Sequence, residues 1–298
     1  MEIHQTPLIP YRGDPAGWGS ILLKDETKQT TGSFKFRSVF KKLHSFETAP
    51  DFVTASTGNH GLAVAATAGR LKKRAHVFVP VGTSTGKIHA LRTYGADVIE
   101  VEGGYDICVR TAKSWASANN ALYVESFEDP EILEGHKDLL REIDEGGYPF
   151  DICVVPVGGG GLLASSLMHW EGSGKVVVGV EAECAPAMAR SLVQGEPVQL
   201  PISRSIAEGI ALPSIGALPF KVCRSLPPQL VQVTEQEVCH AIRLLWKHSA
   251  IRAEGAGAAA LAGALKIRGE ARTCLCIISG GNIDANQFDA IISSGTWS

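Results

Sequence analysis

The sequence has no apolar run long enough to cross a membrane, no strong excess of one charge and no even set of cysteines. Its longest apolar stretch, 256–265, is built mostly of alanine, glycine and leucine and is closed by Glu254 and Lys266. A membrane span needs roughly 20 apolar residues, so this stretch reads as a packed core helix. The opening MEIHQTPLIP lacks the basic and apolar regions of a secretory leader. A formal charge of −3 gives no reason to expect nucleic acid or an anionic membrane as a partner. Seven cysteines is an odd number for a disulfide framework. Cys153, Cys274 and Cys276 lie in apolar strand-like runs, where buried reduced thiols are expected. Cys274 and Cys276 are also too close for a redox or zinc pair. No low-complexity linker or internal repeat divides the chain. These absences describe a reduced, cytoplasmic protein, and its 298 residues suffice for one large or two modest domains.

What is present is alternation. Short β-branched runs at 20–23, 52–55, 75–79, 97–101, 122–125, 152–157, 176–181, 230–233 and 273–278 read as strands. Helical patterns fall between them, among others at 61–72, 86–94, 107–118, 162–170, 235–248 and 255–267. Thr234 and Glu237 have the spacing of a capping box. Strands that alternate with helices imply parallel sheets with crossover connections, an α/β architecture.

Four segments place glycine and small polar residues where a strand hands over to a helix. In Thr31-Gly32-Ser33-Phe34-Lys35-Phe36-Arg37, the lysine sits just inside a helix start. There the positive end of the helix dipole disfavours the ammonium and favours a nucleophilic amine; taken alone the signal is weak, and an isolated lysine here is far more often a solvated surface residue. Ala55-Ser56-Thr57-Gly58-Asn59-His60-Gly61 follows the strand 52–55 and gathers hydroxyls, an amide and backbone N–H groups. This suits a carboxylate or phosphate, whereas a simple N-cap accounts for one of those residues only. Val157-Gly158-Gly159-Gly160-Gly161-Leu162 lets backbone N–H groups converge on an anion with no Cβ in the way. A dinucleotide fingerprint is the rival, and Glu181 lies near the expected distance downstream. Leu163 occupies the third glycine position, however, so a single phosphate fits better. Ile278-Ser279-Gly280-Gly281-Asn282 can approach a flat heteroaromatic ring, or can be an ordinary turn.

In this order the four segments resemble the serine/threonine dehydratase family of pyridoxal-phosphate enzymes, with the tryptophan-synthase-β type of fold (fold type II). Further stretches carry the likeness along nearly the whole chain. They are Thr6-Pro7-Leu8, Lys24-Asp25-Glu26, Gly95-Ala96-Asp97-Val98, Ala207-Glu208-Gly209-Ile210 and Glu254-Gly255-Ala256-Gly257. The resemblance implies two domains, each a mostly parallel twisted sheet flanked by helices, with the cofactor in the cleft between them. Residues 1–50 and 127–298 would form the large cofactor-binding domain, and 51–126 a small mobile one. Lys35 would carry pyridoxal 5′-phosphate through a Schiff base, and Asn59 would bind its phenolic oxygen. Gly158, Gly159, Gly160 and Gly161 would cradle its phosphate, and Ser279 would face its ring nitrogen. Ser56, Thr57, Gly58, Asn59 and His60 would close on the carboxylate of a small amino-acid substrate. A homodimer is also implied.

The activity implied is β-elimination from serine, threonine or a related amino acid, giving a 2-keto acid and ammonia. A β-replacement synthase and an amino-acid racemase are the alternatives. Ser279 is neutral and makes a weaker electron sink than an aspartate would, which favours elimination over transamination. Thr57 departs from the pattern: a serine in that place resembles the racemases of the family, and Thr57 keeps the hydroxyl but adds a methyl group, so it is a second catalytic candidate. A divalent-cation site in relatives uses a glutamate and an aspartate. Here Glu181 is present, but Ala187 stands in the aspartate's place, so no metal is expected. The chain ends soon after Asn282, and no regulatory domain is expected. Replacing Lys35 with alanine should remove both the visible absorbance of the bound cofactor and all turnover, checked by spectrum and keto-acid assay.

Overall fold

The alternation becomes two sheets in a computed structural model that describes residues 2–201, 204–267, 269 and 272–297. The larger sheet contains β1 (Leu8–Pro10), β2 (Ser20–Asp25), β7 (Ile152–Pro156), β8 (Val176–Ala182), β9 (Gln229–Val233) and β10 (Thr273–Ile278). Their order is β1-β2-β10-β7-β8-β9; β1 runs antiparallel to β2 and all other neighbours are parallel. The smaller sheet, in the order β5-β4-β3-β6, is wholly parallel. It contains β3 (Asp51–Ala55), β4 (Arg74–Pro80), β5 (Asp97–Val101) and β6 (Leu122–Tyr123).

Helices cover both faces of each sheet. On the smaller sheet, α1 (Lys35–Ser45), α2 (Asn59–Arg70) and α3 (Thr85–Thr93) pack on one face, and α4 (Tyr105–Ala118) on the other. On the larger sheet, one face carries α5 (Pro130–Glu145), α6 (Gly161–His169), α7 (Ala187–Gln194) and α8 (Ala217–Ser225). The opposite face carries α9 (Glu235–Ser249), α10 (Gly255–Ile267) and α11 (Ala285–Ser294). The alanine- and glycine-rich α10 is buried nearly all round, as its composition requires. Gly257 and Gly263 let it approach closely, because a Cβ at either would collide with Gly280 O or Val180. Among the described residues no helix is long and apolar enough to cross a membrane.

Two expectations shift. The strand 122–125 shortens to Leu122–Tyr123, because the Val124 carbonyl turns to the Thr54 hydroxyl (3.0 Å) and His60 Nε2 (3.0 Å). Helix α2 starts at Asn59, not at Gly61, with Gly58 as its N-cap. Helix α5 opens on Asp129 and Pro130, where the Asp129 carboxylate caps the N–H groups of Glu131 and Ile132.

A buried ion network locks the start of α1 in place. The Arg37 guanidinium forks onto Glu26, with Nε to Oε2 and Nη2 to Oε1 both at 2.8 Å, and Nη1 donates to Glu142 Oε2 at 2.6 Å. Lys24 donates to the Thr6 carbonyl at 2.7 Å and also pairs with Glu142. The two cations and two anions balance, which is what makes their burial tolerable. Burial opposes ionisation of Glu142, but the bonds from Arg37 and Lys24 prevail and hold its carboxyl below the usual range. A carboxyl depressed in the folded state stabilises at neutral pH, and that contribution fades as pH falls through the acid range. Removing the carboxylate by Glu142→Ala leaves the buried Lys24 without a counter-charge and Arg37 with Glu26 alone. Urea unfolding at neutral pH should then show a loss of about 3–5 kcal/mol, with a gap to wild type that narrows in acid.

Candidate active site

The sheet order explains why distant segments meet. Strands β2, β10 and β7 are parallel neighbours, so the segments leaving their C-terminal ends lie side by side. These segments carry Lys35, Ser279 and the four glycines respectively. In open α/β sheets this edge is where ligands bind. The first and fourth segments are joined directly: Phe34 N donates to Ser279 O (3.0 Å), Gly281 N donates to Gly32 O (2.9 Å), and Ser33 bridges Gly280. The second segment arrives from β3 of the other sheet. It is tied in through Asn282, whose Nδ2 donates to Thr31 O and to Asn59 Oδ1, both at 2.7 Å.

Lys35 opens α1, as its position in the sequence implies. Its Nζ donates to the Ser126 carbonyl (2.8 Å) and lies 3.2 Å from the Ser126 hydroxyl. Burial lowers its pKa to about 8, so desolvation, beyond the helix dipole, favours the neutral amine. Asn59 is oriented from both ends. Its Oδ1 accepts from Asn282, and its Nδ2 donates to Glu254 Oε1 at 2.6 Å. One amide hydrogen of Asn59 is left over for the cleft. Burial raises the Glu254 carboxyl to about 7.

His60 behaves differently from the other members of its turn. Its ring is buried, with Nε2 donating to Val124 O at 3.0 Å. Burial first, and then the charge of Lys35, lowers its pKa to about 3. A neutral imidazole turned inward offers no charge to a carboxylate, so the group of His60 suited to an anion is its backbone N–H. The first N–H groups of a helix have no intrahelical acceptor. Ser56 and Thr57 are half-buried and Gly58 exposed in the same turn, and Gly58 N donates to Ser56 Oγ at 3.2 Å.

Three of the four glycines in the turn have no room for a side chain. A Cβ on Gly158 would lie 2.7 Å from Gly209 O, and one on Gly159 would fall within the Phe127 ring. Gly160 has φ +91°, in the left-handed region, and its Cβ would sit 2.8 Å from both Met188 Cε and Pro219 Cβ. Phe127 and the following Glu128 are held there because the Glu128 carboxylate accepts from Ala217 N (2.6 Å) and Leu218 N (2.7 Å) at the start of α8. Glu181, by contrast, is spent on structure. Its carboxylate accepts from Met188 N (2.6 Å) and Ala189 N (3.1 Å), and burial raises its pKa to about 7. Among the described residues no group of three His, Cys, Asp or Glu could hold a metal ion.

Of seven buried side-chain polar atoms without a partner among the described residues, five belong to the Lys35 segment and the two histidines near it: Thr31 Oγ1, Ser33 Oγ, His60 Nδ1 and both ring nitrogens of His136. Such atoms are costly when left unmade, so their concentration here marks a place for a polar ligand. Sequence reasoning missed Ser126, Glu254, Asn282 and His136 as site residues. Only Asn282 and Glu254 lay within segments noted for resemblance.

A lysine with a lowered pKa, a glycine turn at a helix N-terminus and a fixed amide suit an α/β enzyme that holds pyridoxal phosphate covalently. The residues fit that cofactor. The family model described as "Pyridoxal-phosphate dependent enzyme" matches residues 1–280, and the chain belongs to that family. It is 34% identical over 283 residues to the L-threonine ammonia-lyase of Thermotoga maritima, covering 93% of this chain and 71% of that one. Among solved structures it is similar to the processed form of threonine deaminase isoform 2 from Solanum lycopersicum. That match has a TM-score of 0.89 and 28% identity, covering 98% of this chain and 88% of the other. It is also similar to serine racemase from Dictyostelium discoideum, with a TM-score of 0.86 and 29% identity, covering 95% and 94%. Gly160→Ala should cost about 1–3 kcal/mol of stability from the strained φ alone. Urea unfolding measures that cost, and cofactor titration should show weaker binding in the same variant.

Proposed function

We propose that the protein is a β-eliminating ammonia-lyase acting on serine, threonine or a related small β-hydroxy or β-substituted amino acid, releasing a 2-keto acid and ammonia. The observation that carries this is the buried Lys35 amine, lowered to about 8, on a segment that leaves β2 beside the strands that lead to Ser279 and the glycine turn. Similarity to threonine ammonia-lyases and a threonine deaminase supports the reaction class.

Bound pyridoxal phosphate supplies an electron sink that labilises the bonds at the substrate Cα. The chain provides the rest. Gly158, Gly159, Gly160 and Gly161 hold the phosphate at the N-terminus of α6, where N–H groups and the helix dipole favour an anion. Asn59, fixed by Asn282 and Glu254, holds the phenolic oxygen with its remaining amide hydrogen. Ser279 meets the ring nitrogen with a neutral hydroxyl. The turn 56–60 receives the substrate carboxylate on its hydroxyls and on the first N–H groups of α2. Lys35 is the attachment point and, once free, the base that holds the Cα proton; Ser126 steadies its amine. Residues 51–126 would close as a unit over the substrate, which supports exclusion of water.

Racemisation is the second reading, carried by the hydroxyl of Thr57 beside Asn59 and by the similarity to a serine racemase. Incubating the enzyme with a panel of β-substituted amino acids decides between them. Keto acid and ammonia should form without any added nucleophile, and recovered substrate should keep its configuration. Product only with an added nucleophile would indicate a replacement synthase, and inverted substrate without keto acid would indicate a racemase.

A further inference from the structure

His136 is fully buried on α5, and neither of its ring nitrogens has a hydrogen-bond partner. No other described side chain is recorded with two orphaned buried nitrogens. Burial, followed by the charges of Lys35 and His60, pushes its pKa far below the ordinary histidine range. The ring is therefore neutral, with one N–H donor and one lone-pair acceptor. An N–H buried without an acceptor costs about 1–3 kcal/mol, which a packing role does not recover.

The ring is not placed at random. Its centroid lies 4.9 Å from that of Phe34, the residue before Lys35. Its Nε2 lies 3.5 Å from where a Cβ on Gly161 would stand, beside the first residue of α6. Helices α5 and α6 are pinned together there, since the Ser165 hydroxyl reaches both Leu133 O and Gly161 O at 2.8 Å. The imidazole thus borders the end of the glycine turn where the N-terminus of α6 attracts an anion.

Resting on the site reading above, we infer that His136 is a further ligand of the cofactor, donating its Nε2 hydrogen to a phosphate oxygen at the Gly161 end of the turn. A hydrogen bond to an ionised phosphate is stronger than one between neutral groups, and it satisfies the donor that the protein leaves open. The glycine turn contributes only backbone N–H groups, so His136 adds side-chain recognition of the phosphate to the cradle.

The test separates the phosphate from the rest of the cofactor. Full-length wild type, His136→Phe and His136→Gln are stripped of cofactor and titrated with pyridoxal phosphate and with pyridoxal, which lacks the phosphate. Visible absorbance reports binding, and thermal unfolding of each variant confirms folding. His136→Phe keeps the ring packing on Phe34 and should bind pyridoxal phosphate about ten- to a hundredfold more weakly, the size of one lost charge-assisted hydrogen bond. Its affinity for pyridoxal should be unchanged. His136→Gln retains an N–H donor and should recover most of the loss. Phosphorus NMR of the reconstituted enzyme should show the phosphate resonance displaced in His136→Phe and restored in His136→Gln. Equal weakening toward both ligands, or no weakening toward either, overturns the inference and leaves the cofactor site intact. A wild type that binds neither ligand would instead overturn the reading of the site itself.

Discussion

The structure turns on the buried bonds of Arg37. One guanidinium, two residues beyond Lys35, joins Glu26 after β2 to Glu142 on α5 and so fixes the first turn of α1 against both. The planar fork of arginine suits this task in a way that lysine would not. With that turn fixed, the Lys35 amine has one place to go, and the Ser126 carbonyl meets it there. Helix α1 also packs into the core of the smaller sheet through Phe36, Val39 and Leu43. The element that carries the lysine is therefore tied to elements of both sheets.

Burial governs the chemistry of the site as much as any single partner does. Desolvation lowers Lys35, His60 and His136 and raises Glu254. Each of these shifts favours an uncharged form. Beside these groups stand directed dipoles: glycine N–H groups, the Asn59 amide and the start of two helices. Such a lining suits a ligand that brings its own phosphate and carboxylate charges, because preorganised donors need not reorganise around them.

The asparagine pair shows how a site is tuned beyond its first contacts. Asn282 accounts for Thr31 and Asn59 together, and Glu254 takes the other end of the Asn59 amide. Gly280 lies between them with no room for a side chain, since a Cβ would meet Glu254 Oε1 at 2.6 Å. Four segments far apart in the chain are joined by these hydrogen bonds, and the amide of Asn59 cannot flip without breaking two of them.

By itself the sequence determined the α/β class, nine of the strands and the glycine-bearing segments at strand ends, because these follow from local periodicity and from glycine placed at strand ends. The short β1, the shortened β6 and the Asn59 start of α2 escaped it, since each depends on a partner from another part of the chain. Only the tertiary structure decided that His60 turns its ring to Val124, that Glu181 serves the backbone of α7, and that Ser126 and His136 border the lysine. A side chain's direction and its degree of burial are set by what packs around it, and the partners of His60 and Lys35 lie 64 and 91 positions away.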